Sequence, residues 1–563
     1  HAIDAQIFDK PDRTALQKAL HILATDRRQM LTETPLVHVI EHRTMAALFL
    51  GHGIEHFRRM RIGLAQLIGE SLPGVLVTCS HQVAREFREF ERASTTVLSA
   101  YVQPVIDGYL HRFENKLADA GFKGRFTVMQ SNGGRLPAEA MRTSAITAIY
   151  SGPAAGVVGA TRQAARSGFK DLITFDMGGT STDVCLVQEG RPSLASESEI
   201  DGLPIRTPVL DIVSVGAGGG SIAWVDDGGM LRAGPQSAGA DPGPACYDRG
   251  GQQPTTTDAH VVIGTIRPEG FLGGKMRLDA AAARKVYAPL AERFSLSVEQ
   301  AASAALQLAD ANIVRAIQLV STERGRDPRD YALVPFGGAG PLHAARIAEE
   351  LGISTIVVPP NAGVISAYGL VASDYTKFDA VTRKMKLDEN AAKEAGKTFA
   401  EIRARLAAQF ADMKLPGELE YTHTLDMRFV GQAFEVGVEI PADRLGSLDA
   451  AHLGELFADA HHRTFMHGAN LDRPVEIVTL RVGATLPIGT PPRLDREATK
   501  AGAAEKTKVF HGDRWLDCAR HSAEAAKVEG PAVIEGHTAT TWVPPGWAAE
   551  LDKADNLILR RSA

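Results

Sequence analysis

The chain has 563 residues, a formal net charge of −6, 44% hydrophobic residues and 23% charged residues. That length exceeds what one hydrophobic core supports, so two or three domains are expected. The mild acidity argues against a nucleic-acid surface, and no apolar run reaches the ~18–20 residues of a membrane span, so a cytoplasmic protein with neither partner is expected.

In chain order, residues 11–75 mix helical patterns with charge, as in "DRTALQKALHILATDRRQM" and "IEHFRRMRIGLAQLIGE". "PGVLVTCS" then reads as a short strand, and "REFREFERASTTVLSAYVQPVIDGYLHRFENKLADAG" as a long amphipathic helix ending at Gly121. "RFTVMQSNGG" is a strand entering a glycine turn. From Asp171 the pattern turns strand-rich, through "DLITFDMGGTSTDVCLV", "LDIVSVGAGGGSIAWVDDGGM" and the irregular loop "SAGADPGPACYDRGG". Residues 298–323 predict a helix, and "YALVPFGGAGPLHAARIAEELGISTIVVPP" predicts a βαβ unit. A charged helical segment near residues 387–413 looks like a boundary, and the rest reads as a mostly β domain.

Three glycine turns could carry chemistry. In "DMGGTSTD", Gly178 and Gly179 let backbone approach a ligand closely, and successive N–H groups there can form an anion nest. Thr180, Ser181 and Thr182 add hydroxyl donors, while Asp176 and Asp183 could hold a hard cation such as Mg²⁺. A plain hairpin turn with hydroxyl caps fits the same residues. "VGAGGGS" contributes Gly218 and Gly219 at another strand end, where a flexible turn is the alternative. "FGGAGPLHAARIAEELG" contributes Gly337, Gly338 and Gly340 in strand–glycine–helix order, which suits an anion at a helix N-terminus or simply a tight βα turn. Neither G-x-G-x-x-G nor G-x-x-x-x-G-K-[ST] occurs, which removes the dinucleotide and P-loop readings. Together the three turns meet what a cleft for a nucleotide and its metal requires.

Two other features carry blander readings. "AHHRTFMHG", with His461, His462 and His467, reads as a solvated helix face rather than a metal site. The four cysteines are far apart with no C-x-x-C pair, and Cys246 reads as a small buried residue.

The ordered set "EFREFERASTTVLSAYVQP", "VMQSNGG", "SGPAAGVVGA", "FDMGGTSTDVCLV", "SVGAGGGSIA", "DPGPACY", "ERGRDPRDYALVPFGGAGPLHA" and "DMRFVGQAFEV" resembles the hydantoinase A/5-oxoprolinase family, from about residue 76 to the terminal "EGPAVIEGHTATTWVPPGW". That resemblance implies an α/β, actin/hexokinase/Hsp70-like two-lobed fold with ATP and Mg²⁺ as cofactors, followed by a mostly β carboxy-terminal domain. It implies that "DMGGTSTD" is the second phosphate turn and "FGGAGP" the adenosine turn, with "SGPAAG" and "GVISAYG" as interlobe connections. Asp176 and Asp183 would be catalytic, with Asp176 at the metal. Gly178, Gly179, Thr180, Ser181, Thr182, Gly218, Gly219, Gly337, Gly338 and Gly340 would bind the nucleotide.

The expected domains are 1–95, a remnant of the amino-terminal hydantoinase/oxoprolinase domain, then 96–386, the catalytic ATPase domain, and 387–563. The family normally opens on its own acid–glycine–hydroxyl turn, which is not found here, so the chain reads as amino-terminally truncated. The implied activity is ATP-dependent phosphorylation of a cyclic amide carbonyl, of hydantoin or 5-oxoproline type, for hydrolysis with a hydantoinase B-type partner subunit. The alternatives are a β-type subunit of an acetone or acetophenone carboxylase acting on a ketone, and a non-catalytic assembly module.

Overall fold

The computed structural model describes residues 38–42, 45–49, 65–66, 68, 70 and 75–561, except 196, 466–472 and 495–503. The helical patterns expected within residues 11–75 lie almost wholly outside these. The chain forms two compact units, each assembled from separate stretches. One contains the described residues up to Gly152, Leu194–Val209 and Ser373–Gly489; the other contains Pro153–Ser193, Leu210–Ala372 and the described residues from Thr490. The chain changes unit at Gly152–Pro153, inside "SGPAAG", and at Ala372–Ser373, just after "GVISAYG".

The second unit is built on a nine-stranded mixed sheet. Its strands are β1 (Leu172–Met177), β2 (Thr182–Gln188), β3 (Ile212–Val215), β4 (Ala332–Phe336), β5 (Thr355–Val358), β6 (Lys527–Glu529), β7 (Trp547–Leu551) and β8 (Leu557–Arg561). They lie in the order β3-β2-β1-β4-β5-β8-β7-β6, and Arg191–Pro192 pairs beside β2. β1 and β2 form an antiparallel hairpin, whereas β1, β4 and β5 run parallel. β4 is buried at every residue and β1 at all but Asp176, which is why both read as continuous apolar runs rather than as alternating ones.

The connections follow from local chemistry. Helix α1 (Thr256–Val262) opens on a capping box in which Thr255 and Asp258 satisfy each other's backbone N–H groups. Helix α2 (Val298–Val320) opens on another, Ser297 with Gln300. Helix α3 (Gly340–Leu351) crosses between β4 and β5 and ends at Gly352, whose φ of +71° is the left-handed conformation a glycine terminus favours. A core of α1, Ala280–Phe294 and α2 residues includes Tyr287 and Leu306; Cys246 joins it from the preceding loop, and Val533 and Trp542 join it from the carboxy-terminal strands. Cys246 is therefore the buried cysteine expected, and burial together with the neighbouring Asp258 pushes its thiol pKa far up.

In the first unit, helix Glu89–Asp119 matches the long helix expected, with Gly121 at φ +73° just beyond it. A six-stranded sheet runs in the order Val436–Glu439, Glu420–Phe429, Val475–Leu486, Tyr375–Lys386, Arg135–Pro137, Thr127–Met129. Helices Glu389–Asp412 and Ala450–Phe465 cover it through Phe399, Ile402, Leu453 and Phe457. The β-rich carboxy-terminal portion thus carries two helices, and its residues are shared between the units. One expectation needs correcting here. His461 does not lie on a solvated face: it is buried among the rings of Phe429, Phe457 and Phe465, whereas His462 and the other positions of "HHRTF" are exposed. His467 lies outside the described residues.

Candidate functional site

β1 and β4 run side by side with Asp176 in register with Phe336, so both chains turn at the same edge of the sheet. Asp176 is the last residue but one of β1, and the hairpin to β2 places it directly opposite Asp183. Burial first, and the nearby Asp183 second, lift the Asp176 carboxyl to about 7. Burial also raises Asp183, opposed by the Ser214 hydroxyl, which donates to Asp183 Oδ1 at 2.5 Å. Among the described residues neither acid forms an ion pair.

Between them the turn closes on one backbone bond, from the Gly178 N–H to the Ser181 carbonyl at 3.1 Å. Gly179 and Thr180 are exposed, Gly178 and Ser181 half-buried. No described residue accepts from the N–H groups of Gly179, Thr180 or Ser181, or bonds the Thr180 or Ser181 hydroxyl. Thr182 differs: it is buried and its hydroxyl donates to the Ala217 carbonyl.

The other two glycine turns come to this hairpin. Gly218 is buried against Gly179 and Thr180, so close that an added Cβ would lie 2.7 Å from the Thr180 backbone. The Gly219 N–H donates to the Gly178 carbonyl at 2.9 Å and the Gly220 N–H to the Gly179 carbonyl at 2.7 Å. Absent side chains let one turn stack on another here. Thr257, on α1, fixes that stack by donating both its N–H (2.7 Å) and its hydroxyl (2.8 Å) to the Gly219 carbonyl.

From the other side, Gly337 adopts φ +75°, and a Cβ there would overlap Asp176 Oδ1 and the Met177 carbonyl. The Ala339 N–H reaches that same carbonyl at 3.3 Å, and Gly340 begins α3 over Phe175 and Pro335. Gly338 is exposed, with Thr538 of the carboxy-terminal segment nearby. Every residue proposed from the sequence thus gathers at one edge of one sheet. Gly218, Gly219 and Gly337 serve there as buried packing surfaces, while Gly178–Ser181 and Gly338 are the ones that face outward.

Ser214 and Thr257 escaped the sequence reading. Ser214 is visible only once β3 is paired to β2, where it stands opposite Asp183. A sheet edge with two half-buried carboxyl groups lacking a described cationic partner, beside N–H donors with no described acceptor, suits an anion carried together with a cation.

The family model described as Hydantoinase/oxoprolinase matches residues 92–378, and that of the Hydantoinase/oxoprolinase C-terminal domain matches 382–562. The chain is 36% identical over 501 residues to the caprolactamase subunit alpha of Pseudomonas jessenii, covering 86% of this chain and 72% of that one. It is 32% identical over 515 residues to the acetophenone carboxylase gamma subunit of Aromatoleum aromaticum, covering 86% and 69%. The crystal structure of the ATP-dependent caprolactamase from Pseudomonas jessenii superposes with a TM-score of 0.80 at 34% identity, over 90% of this chain and 75% of that one. The fold is accordingly the mixed α/β architecture expected, with a β-rich carboxy-terminal portion, and the chain belongs to the hydantoinase/oxoprolinase family.

Proposed function

We propose that this chain is the ATP-dependent activating component of a cytoplasmic cyclic-amide hydrolase. Asp176 would hold Mg²⁺, directly or through water, with Asp183 behind it. The Gly178–Ser181 turn would receive the phosphates on its N–H and hydroxyl donors, and Gly337–Gly340 would lie along the adenosine. The observation that carries this reading is the Asp176–Asp183 pair: two half-buried carboxyl groups with no described cationic partner, beside a turn in which the Gly179, Thr180 and Ser181 N–H groups have no described acceptor. A divalent cation with a polyphosphate satisfies both deficits at once.

When bound, Mg·ATP supplies a phosphoryl group that converts a poorly leaving carbonyl oxygen into a good leaving group. The protein's own part is positional. The stacked glycine turns fix the donors, and burial keeps the Asp176 proton available near neutrality, so that cation binding and proton release are coupled. The substrate would be a hydantoin or 5-oxoproline type of ring amide, and a hydantoinase B-type subunit would complete hydrolysis; that this chain's relatives are named as subunits supports a partner. A ketone carboxylase role is the second reading, favoured by the acetophenone carboxylase relative. Product analysis with and without bicarbonate separates the two.

The primary test is calorimetric titration of Mg·ATP into the folded chain, with Asp176→Ala alongside. Saturable binding that the substitution abolishes supports the reading. A folded chain that does not bind favours the assembly-module alternative.

A further inference from the structure

His260, Asp310 and His343 come from α1, α2 and α3 respectively, and they are 1%, 3% and 0% exposed. His343 Nδ1 lies 2.5 Å from Asp310 Oδ1, and the other carboxylate oxygen accepts from Arg346 Nε at 2.6 Å. His343 Nε2 lies 2.9 Å from His260 Nε2, and His260 Nδ1 lies 2.8 Å from the Thr265 hydroxyl. Every ring nitrogen of the two histidines thus has a partner. Burial alone would raise the Asp310 carboxyl, but Arg346 and His343 outweigh it and hold the group ionised. His343 therefore donates from Nδ1 to the ionised Asp310. The facing Nε2 atoms of His343 and His260 share one proton, burial keeps the His260 ring neutral, and the Thr265 hydroxyl is the partner of its Nδ1.

This chain of bonds spans the two sides of the candidate site. Three residues before His260 is Thr257, which holds Gly219, which in turn holds Gly178. Three residues before His343 is Gly340, and Ala339 and Gly337 next to it close on Met177 and Asp176. The His260–His343 bond thus closes a ring that passes through the hairpin turn. Apolar contacts would pack three helices as tightly, but without fixing their mutual register; a buried, fully satisfied polar chain fixes it.

The geometry points to His260 and His343 as a strut that sets the gap between the second and third glycine turns, with Asp310 and Thr265 holding the rings' other nitrogens. All four are positioning residues. The consequence for nucleotide binding rests on the function proposed above, whereas the strut itself does not.

The test compares His260→Leu, which removes the bond at similar volume, with His260→Gln, which keeps a donor near the Nε2 position. Amide hydrogen exchange and Mg·ATP calorimetry are run on the same folded preparations. In His260→Leu, exchange at Gly219, Gly220, Thr257 and Ala339 should accelerate by about tenfold more than in the rest of the unit, with affinity falling by about tenfold; His260→Gln should restore most of both. Uniform acceleration throughout the unit, or unchanged exchange at those four amides, overturns the strut. If the wild-type chain binds no Mg·ATP, the proposed function fails and the exchange pattern alone decides the strut. Should His260→Leu not fold, Thr265→Val removes the hydroxyl partner of Nδ1 and should give the same local pattern at smaller amplitude, its absence counting against the strut.

Discussion

On the six-stranded sheet of the first unit, Arg481 grips both oxygens of Glu86 at 2.6 and 3.0 Å and reaches Asp426 Oδ2 at 2.9 Å. Arg206 closes on Glu86 from the other side. Arg428 likewise joins Glu476 (2.8 Å) and Glu435 (3.0 Å), the latter shared with Arg88. At the end of β1 in the second unit, Asp176 and Asp183 face each other with no described cation at either. The first arrangement neutralises itself and can only be disturbed. The second holds no described cationic side chain and, on the function proposed above, would be completed by a bound cation. Buried charge is thus informative about function mainly where the protein has not already paired it.

That contrast can be broken at several points. The largest effect is expected from Arg481→Met, which strands Glu86 and Asp426 without their main partner; denaturant unfolding should show a loss of about 3–5 kcal/mol, with Mg·ATP affinity of the folded fraction unchanged. Gly337→Ala combines a left-handed backbone with overlap onto Asp176, so a loss of about 1–3 kcal/mol is expected together with weakened nucleotide binding, where an exposed glycine such as Gly179 would tolerate alanine in space.

Asp176→Asn should do the opposite to stability. The native carboxyl titrates near 7 against an ordinary 3.8, so the folded state holds the proton more tightly. Its stabilising contribution is complete below about pH 4 and is lost as pH rises through 7. The amide should therefore stabilise the chain at pH 8 by up to about 4 kcal/mol, and the difference should vanish by pH 4. Nucleotide affinity in the wild type should strengthen over the same rise.

His260 carries the reverse sign. Burial, reinforced by His343 and Arg346, depresses it, so its contribution is present above about pH 6.5 and is lost as pH falls; His260→Gln should flatten that acid limb in thermal melts. The smallest effect belongs to Thr180→Ala, whose exposed hydroxyl has no described partner. Stability should stay within about 0.5 kcal/mol, while affinity falls severalfold.

Much of the site was legible from residue order. "DMGGTSTD", "VGAGGGS" and "FGGAGP" each announce a turn, because consecutive glycines at the end of an apolar run have few other uses, and all three meet at one sheet edge. The acid pair was legible for a related reason: a two-residue period places Asp176 and Asp183 opposite each other in any tight hairpin of that register. The roles of individual glycines were not legible. Gly218 and Gly337 look in sequence like Gly179, yet they are buried packing surfaces, since which glycine faces outward depends on what stacks behind it.

The helical face assigned to "AHHRTFMHG" failed for the same reason. His461 is turned inward by aromatic neighbours at Phe429 and Phe457, the first from a strand more than thirty residues away. The segments that form the units are also interleaved along the chain, which local pattern does not express.

Sequence alone therefore determined the elements, the turns and the family, because periodicity, caps and glycine runs act over a few residues and are written locally. Only the tertiary structure decided which charges are paired and which histidines touch. Arg481 meets Glu86 across 395 residues and His343 meets His260 across 83, distances over which no local pattern carries information. Electrostatic pairing depends on separations of a few ångströms in space, and the folding of the chain, not its order, sets those.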